Sequence, residues 1–284
     1  MLRTRLWMGT ILILLGVAML VFDQNFAPYY PFLLMLMVVL CLAGCFEFLH
    51  MLPQDRRPPA WLCYFGVLGI ILANWPAHLP TESIDVHFRD PWRWIAAVLA
   101  ATMLGALLTA MAHYRDDDPI GKSANQIGLT LLIVLYLGFL PSFLAQLRWL
   151  PSGVGAVALT IFVPKCCDSG AYFTGRLLGR HKMTPVLSPK KTWEGFAGGI
   201  AAGIFGAWAI HRAAPSPLPG DDLGALGFGL TVGIAGVLGD LAESLLKRDS
   251  RRKDASQVMP GFGGVLDVID SIVFAAPVAY CWYM

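Results

Sequence analysis

The sequence predicts an all-α integral membrane protein with about nine transmembrane helices. Hydrophobic residues make up 56% of its 284 residues and charged residues only 14%, whereas a soluble domain carries about a quarter charged residues. Apolar stretches long enough to cross a bilayer core of about 30 Å recur along the whole chain. Lipid cannot hydrogen-bond an exposed backbone, so these stretches are expected to be helices. The two observations exclude a soluble globular protein.

We place the predicted spans near residues 6–22, 31–50, 61–76, 92–113, 125–147, 153–174, 193–211, 223–246 and 263–283. The first is longer than the apolar core of a signal peptide and no small-residue cleavage pattern follows it, so we expect it to be retained. We divide the chain into an N-terminal membrane region with about five spans, 1–150, and a C-terminal catalytic membrane region, 151–284.

Lysine and arginine residues concentrate in alternate loops, and loops rich in these residues face the cytoplasm. The N-terminus and the loops after the second, fourth, sixth and eighth spans hold sixteen of them, and the opposite loops hold four. We therefore expect a protein of the cytoplasmic (inner) membrane with its N-terminus inside. An odd number of spans then places the C-terminus outside.

Five acidic residues lie within or at the ends of the sixth, eighth and ninth spans: Asp168, Asp240, Glu243, Asp267 and Asp270. A charged side chain at the centre of a membrane helix costs roughly 2.5–3.5 kcal/mol on insertion scales, and less toward the helix ends. These carboxylates must therefore be matched by cations. In the predicted topology all five lie in the cytoplasmic half of the membrane.

The spacing of these acids groups four of them into two pairs. Asp240 and Glu243 are three residues apart, and so are Asp267 and Asp270, so that each pair projects from one face of a helix. Two such helices could hold one or two divalent ions, and Mg²⁺ prefers a few carboxylates together with water and phosphate oxygens. Spacing alone leaves open the alternative of interhelical ion pairs; the cations concerned are Lys165, Lys247 and Arg248.

The segments beside these spans mix basic residues with acids, serine and threonine. One runs over 179–195 and the other over 247–254. Such clusters on the cytoplasmic side attract anionic headgroups and polyphosphates. The turn Pro260-Gly261-Phe262-Gly263-Gly264 precedes the ninth span. Glycines allow a backbone to approach a ligand closely, and a helix N-terminus favours phosphate.

Two blocks of the sequence resemble the phosphatidate cytidylyltransferases (CDP-diacylglycerol synthases). The first is DSGAYFTGR at 168–176 with SPKKTWEG at 188–195; the second is SLLKR at 244–248, KD at 253–254 and PGFGGVLDVIDS at 260–271. The resemblance covers roughly 160–275, and as a joint pattern it is highly specific. The family usually has His at the position of Phe262 and Arg at the position of Val268, so both changes bear on how phosphate is held at the ninth helix.

The resemblance implies an enzyme of phospholipid biosynthesis, a nucleotidyltransferase that converts CTP and phosphatidic acid to CDP-diacylglycerol and pyrophosphate. It implies Mg²⁺ as cofactor, one or two ions, with ligands among Asp240, Asp267, Asp270, Asp168 and Glu243. The catalytic residues that it implies are Asp240, Asp267, Lys190 and Lys247. The substrate-binding residues are Lys191, Arg248, Lys253, Asp254, Ser244, Ser188, Gly263 and Gly264.

Two other functions stay open at this point. A related CTP-dependent transferase or kinase could act on another lipid such as an isoprenoid alcohol, and a kinase would release CDP. An ion-coupled transporter could use the buried acids, although transporters place such sites near the midplane and often contain inverted repeats. Besides its substrates and the lipid bilayer we expect no nucleic-acid partner, and the oligomeric state is open, a homodimer included.

Overall fold

The structure is a computed structural model that describes residues 16, 18–79, 89–213, 218, 221–252, 255–256 and 263–284. Within these ranges almost all regular structure is helical, and the strands are two short ones. Several helices are long and apolar enough to cross a membrane. The prediction of an all-α integral membrane protein is therefore confirmed.

Eight long helices follow one another along the described chain. They are α1 (Pro31–Met51), α2 (Ala60–Ala73), α3 (Pro91–Ala112), α4 (Lys122–Leu147), α5 (Gly153–Leu178), α6 (Trp193–Ala213), α7 (Asp222–Asp249) and α8 (Leu266–Cys281). A π-helical turn, Leu135–Phe139, lies within α4. These helices correspond to the second through ninth predicted spans, whereas most of the first, 6–22, falls outside the described residues.

Six of the described helices meet the length and hydropathy expected of a membrane span. They are α1, α2 with the turn that follows it (Ala60–His78), α3, α4, α5 and α7. Helix α8 has only 16 residues, which is short for a bilayer core of about 30 Å. The count of nine spans stays a prediction.

Aspartate side chains fix where three of the helices begin. Asp23 is fully buried and accepts hydrogen bonds from the backbone nitrogens of Phe32 and Leu33 in the first turn of α1. Asp90 and Asp221 cap α3 and α7 in the same way. The first N–H groups of a helix have no partner within the helix, so a carboxylate there satisfies them and also stabilises the positive end of the helix dipole.

The chain divides into two compact units. The first comprises Met1–Ala145 and Ala255–Leu266, and the second Gln146–Asp254 and Asp267–Met284. In the second unit α5, α6 and α7 pack through glycine and other small residues. Gly203 of α6, for example, lies against Cys167 of α5 and Gly229 of α7 against the backbone of Ile204. Small residues allow close helix contacts, on which packing within a membrane depends.

A β-hairpin lies between α5 and α6. Strand β1 (Lys182–Thr184) pairs antiparallel with β2 (Ser188–Thr192), and Lys182 lies opposite Thr192. From the sequence, this stretch is recognisable only as a basic segment. Strands of three and five residues are at or below the length at which alternating hydrophobicity is recognisable.

Candidate active site

Helix α7 carries four polar residues along one face near its C-terminal end: Asp240, Glu243, Ser244 and Lys247. Residues three and four positions apart are neighbours on a helix surface. Glu243 is fully buried, Ser244 is nearly so, and Asp240 is half-buried. This face of α7 is therefore turned toward the interior of the second unit.

Helix α8 lies directly against this face. It begins at Leu266, so Asp267 and Asp270 fall in its first turns. A Cβ atom at Gly239 of α7 would come within 2.5 Å of the carbonyl oxygen of Asp270. Because only glycine permits such a close approach, Gly239 sets the spacing of the two helices one residue before Asp240.

Three carboxylates converge between α7 and α8. The side chains of Asp240, Glu243 and Asp270 each offer an oxygen, and these three oxygens lie within 4.8 Å of one another. Glu243 and Asp270 are both buried, and Glu243 Oε1 has no hydrogen-bond partner among the described residues. A buried carboxylate oxygen without a donor, beside two further carboxylates, fits a hard divalent cation, which takes oxygen ligands.

Lys247 links the two acid-bearing helices. Its ammonium group forms an ion pair with Glu243 of its own helix and lies 2.6 Å from Asp267 Oδ1 on α8. The Lys247 and Asp267 side chains are each only 12% exposed. Asp267 therefore belongs to the same cluster as the three converging carboxylates, but a lysine holds one of its oxygens.

Two more lysines reach the cluster from other elements. Lys191 of β2 forms an ion pair with Asp240, with 2.7 Å between Nζ and Oδ2. Lys165 of α5 donates a hydrogen bond to the Ser271 hydroxyl of α8 at 2.9 Å and lies 3.6 Å from Asp168 Oδ2. The five predicted acids and three lysines carry a formal charge of −2 when all are ionised, which one divalent cation would neutralise.

The hairpin that supplies Lys191 is held at both of its ends. The Glu194 carboxylate accepts hydrogen bonds from the backbone nitrogens of Arg180 and His181, and its Oε1 lies 2.6 Å from the His181 ring nitrogen Nδ1. At the turn, Arg248 of α7 donates a hydrogen bond to the Leu187 carbonyl oxygen at 3.2 Å. These contacts place β2 next to the end of α7.

The remaining predicted site residues are placed less centrally. Lys190 is exposed on β2 and forms no ion pair with any residue that the structure describes. Ser188 begins β2 and is half-buried. Arg248 is exposed at the end of α7. Lys253, Asp254 and Phe262 lie outside the described residues.

Gly263 and Gly264 lie in the first unit, immediately before α8. Gly263 has a φ of +96°, which favours glycine, and a Cβ atom at Gly264 would come within 2.5 Å of Glu47 Oε2. Both positions therefore have a backbone reason for glycine. The predicted phosphate-binding role of this turn stays a prediction.

Glu47 is a further buried acid, outside the set of site residues predicted from the sequence. It lies near the end of α1, is 3% exposed, and accepts hydrogen bonds from the Ser256 hydroxyl at 2.6 Å and from the backbone nitrogens of Val265 and Leu266, both at 2.9 Å. It thereby satisfies the N–H groups at the start of α8, one residue before Asp267. The cost of an acid within an apolar span, which drew attention to the five later acids, also applies to Glu47.

These features define a helical membrane protein with a buried acidic centre that lysines partly neutralise. The chain belongs to the cytidylyltransferase family, whose model matches residues 3–284. The suspected family relationship is confirmed, and the chain is a nucleotidyltransferase enzyme.

Several relatives carry a more specific name. A phosphatidate cytidylyltransferase of Bacillus subtilis (strain 168) is 38% identical over 216 residues, which are 76% of this chain and 77% of the relative. One of Brucella suis is 38% identical over 244 residues, 78% of this chain and 86% of the relative. One of a Synechocystis species is 38% identical over 209 residues, 63% of this chain and 68% of the relative.

Proposed function

We propose that this enzyme transfers a cytidylyl group from CTP to phosphatidate, giving CDP-diacylglycerol and pyrophosphate. The observation that carries the proposal is the convergence of Asp240, Glu243 and Asp270, with lysines beside them, in a chain of the cytidylyltransferase family. The similarity to proteins named phosphatidate cytidylyltransferase, over 76% and 78% of this chain, supports the lipid substrate.

In the proposed reaction an oxygen of the phosphatidate phosphate attacks the α-phosphorus of CTP. The bond from that phosphorus to the oxygen bridging to the β-phosphate breaks, and pyrophosphate leaves with that oxygen. The attacking oxygen is already an anion, so the chain need not supply a general base. Catalysis then depends on bringing two anions together in line and offsetting their repulsion.

Asp240, Glu243 and Asp270 are the residues that would hold Mg²⁺. When bound, the ion neutralises phosphate oxygens and orients them for displacement. The fit rests on the unpartnered Oε1 of Glu243 and on the charge of −2 left by the acids and lysines, and it favours one ion over two. Asp267 and Asp168 are not among the three converging carboxylates, and they pair with Lys247 and Lys165, so we place them beside the ion.

The basic residues divide into two groups in this proposal. Lys191 and Lys247 pair with the acids and hold them in place, and they are close enough to contact a phosphate that enters the cluster. Lys190 and Arg248 are exposed beside them and bind the triphosphate and the lipid headgroup. Lys253, which lies outside the described residues, joins this second group on the strength of the family resemblance.

We place this site on the cytoplasmic side of the membrane, where CTP is available. The uneven distribution of lysine and arginine supports that orientation, with the N-terminus inside and the C-terminus outside.

The test uses purified protein in detergent with Mg²⁺, phosphatidate and CTP labelled in its cytosine ring. Formation of labelled CDP-lipid and an equal amount of pyrophosphate is expected. Asp240→Asn removes one of the three converging carboxylates and should abolish turnover. Asp249→Asn, an exposed acid at the end of the same helix, should turn over at the wild-type rate. Release of CDP in place of pyrophosphate would contradict the proposal and indicate a kinase.

A further inference from the structure

A cleft of about 290 Å³ lies in the first unit, at the ends of α2, α3 and α4. None of the residues that line it belongs to the candidate active site. The residues that line it include the basic and polar Arg57, His113, Lys122 and Ser123 and the small apolar Ala106 and Ala110. The volume approaches that of small-ligand pockets, which start at about 300 Å³.

The cationic side of the cleft is preorganised. Arg57 is half-buried, and its Nε donates a hydrogen bond to the Leu52 carbonyl oxygen at 2.9 Å, while its own carbonyl oxygen accepts one from Gln126 at 3.1 Å. The two hydrogen bonds fix the Arg57 backbone and the Nε end of its guanidinium group. The terminal nitrogens of Arg57 make no hydrogen bond to the part of the chain that the structure describes.

The net charge of the residues that line the cleft matches that of a singly charged anion with opposite sign. Arg57 and Lys122 are positive, and Asp118 lies 2.5 Å from the Lys122 ammonium group. The hydrogen bond from Lys122 holds the pKa of Asp118 below its usual range, so the carboxyl is ionised at neutral pH. Arg57, Lys122 and Asp118 together sum to one positive charge. A phosphodiester carries one negative charge.

Two helix N-termini add to the positive charge of the cleft. The residues just before and within the first turn of α2, Pro59 and Trp61, line the cleft, and so do Lys122 and Ser123 of the first turn of α4. Neither N-terminus is capped by the side chain of its own N-cap residue. The positive dipole at a helix N-terminus favours a phosphate group.

The surroundings of the cleft indicate that the bound anion is part of a lipid. The cleft combines its cations with an apolar wall, and Trp61, 61% exposed, stands at its edge. Tryptophan is enriched where a membrane protein meets the headgroup layer. We infer that this cleft binds the phosphodiester headgroup of an anionic phospholipid. Such a lipid is not a substrate of the enzyme, because its phosphate is esterified on both sides.

The experiment measures lipid retention by the purified full-length protein in neutral detergent by native mass spectrometry. Phosphatidylglycerol is the anionic probe, and phosphatidylcholine with the same acyl chains is the zwitterionic comparison. The wild type should retain one phosphatidylglycerol in preference to phosphatidylcholine. Arg57→Gln should weaken that preference by about tenfold or more, the effect of losing one hydrogen bond between charged groups.

The matched control is Arg56→Gln. It removes the same charge from the neighbouring position of the same loop, but Arg56 is exposed and does not line the cleft, so the preference should persist. Lys122→Gln is a second cleft variant in case Arg57→Gln does not fold. Equal loss in Arg56→Gln and the cleft variants would overturn the inference in favour of general membrane attraction.

Competition by inorganic phosphate separates a lipid site from a site for the free anion. A large excess of phosphate should leave the bound phosphatidylglycerol in place, because the apolar wall contributes to its retention. Complete displacement would overturn the lipid assignment. None of these readouts uses cytidylyl transfer, so their failure would leave the proposed function untouched.

Discussion

Lys247 has an unusual position among the residues of the candidate site, because one ammonium group serves carboxylates on two helices. It pairs with Glu243 on α7 and with Asp267 on α8, and all three side chains are at most 12% exposed. Removing one partner of a buried ion pair costs about 3–5 kcal/mol, because the remaining charge is left without compensation. Lys247 is therefore expected to stabilise the fold as well as the site.

Lys247→Gln and Lys190→Gln should separate stability from substrate binding. Lys247→Gln should lower both the thermal midpoint and the turnover rate, because two buried acids lose their cation. Lys190→Gln removes an exposed charge that has no ion pair among the described residues, so the midpoint should be unchanged while the KM for CTP or phosphatidate rises. Thermal unfolding and steady-state kinetics measure the two effects. Equal thermal midpoints for both variants would contradict the role given to Lys247.

Glu47→Gln should weaken the start of α8. The amide has one acceptor oxygen in place of two and a donor group that would face the Val265 or Leu266 N–H. A hydrogen bond to a charged group contributes roughly 1.5–3 kcal/mol, so we expect a lower thermal midpoint.

Because Asp267 follows directly after Leu266, Glu47→Gln should also raise the Mg²⁺ concentration needed for half-maximal turnover. Asp55→Asn, which removes an exposed carboxylate in the loop after α1, is the control and should change neither quantity. A normal Mg²⁺ dependence in Glu47→Gln would limit Glu47 to a role in stability.

At the scale of elements, the contact between α7 and α8 decides whether the three carboxylates converge. Gly239→Ala should force the helices apart, because the new methyl group would meet the Asp270 carbonyl oxygen. The site should then bind Mg²⁺ more weakly and turn over more slowly. Gly128→Ala in α4 is the control, since its Cβ would meet no heavy atom within 4 Å, and it should be neutral or slightly stabilising. Wild-type Mg²⁺ dependence in Gly239→Ala would show that the helix spacing is not critical.

The elements that the sequence predicts well are those with a local signal. Apolar runs located α1 to α8, and the three-residue spacing of Asp240 and Glu243 placed both on one face. The pairing of Lys191 with Asp240 and of Lys247 with Asp267 depends on which elements are neighbours in space. No local sequence pattern predicts those neighbours. The hairpin is too short for a periodic signal. Glu47 has a local signal, as an acid within an apolar span, but its partners lie more than 200 residues away and no local pattern identifies them.

At the scale of the whole molecule, orientation follows from the distribution of lysine and arginine. Single cysteines introduced at Ile120 and Val186, two exposed positions in basic connecting segments, should react with a membrane-impermeant maleimide only from the cytoplasmic face. A cysteine at Met284 should react only from outside. The exposed natural Cys281 must first be changed to serine. Labelling of Val186→Cys from outside would separate the hairpin from cytoplasmic CTP and contradict the proposed orientation.

The hydrogen bonds of Glu47 also bear on how the chain is made. Its partners Ser256 and Val265 follow it by 209 and 218 residues. At synthesis rates of about 5–20 residues per second, the ribosome needs on the order of 10–45 seconds to supply them. During that interval Glu47 lacks the three hydrogen-bond donors that it has in the folded structure. The N-terminal half therefore reaches its final packing only after translation of α8 has begun.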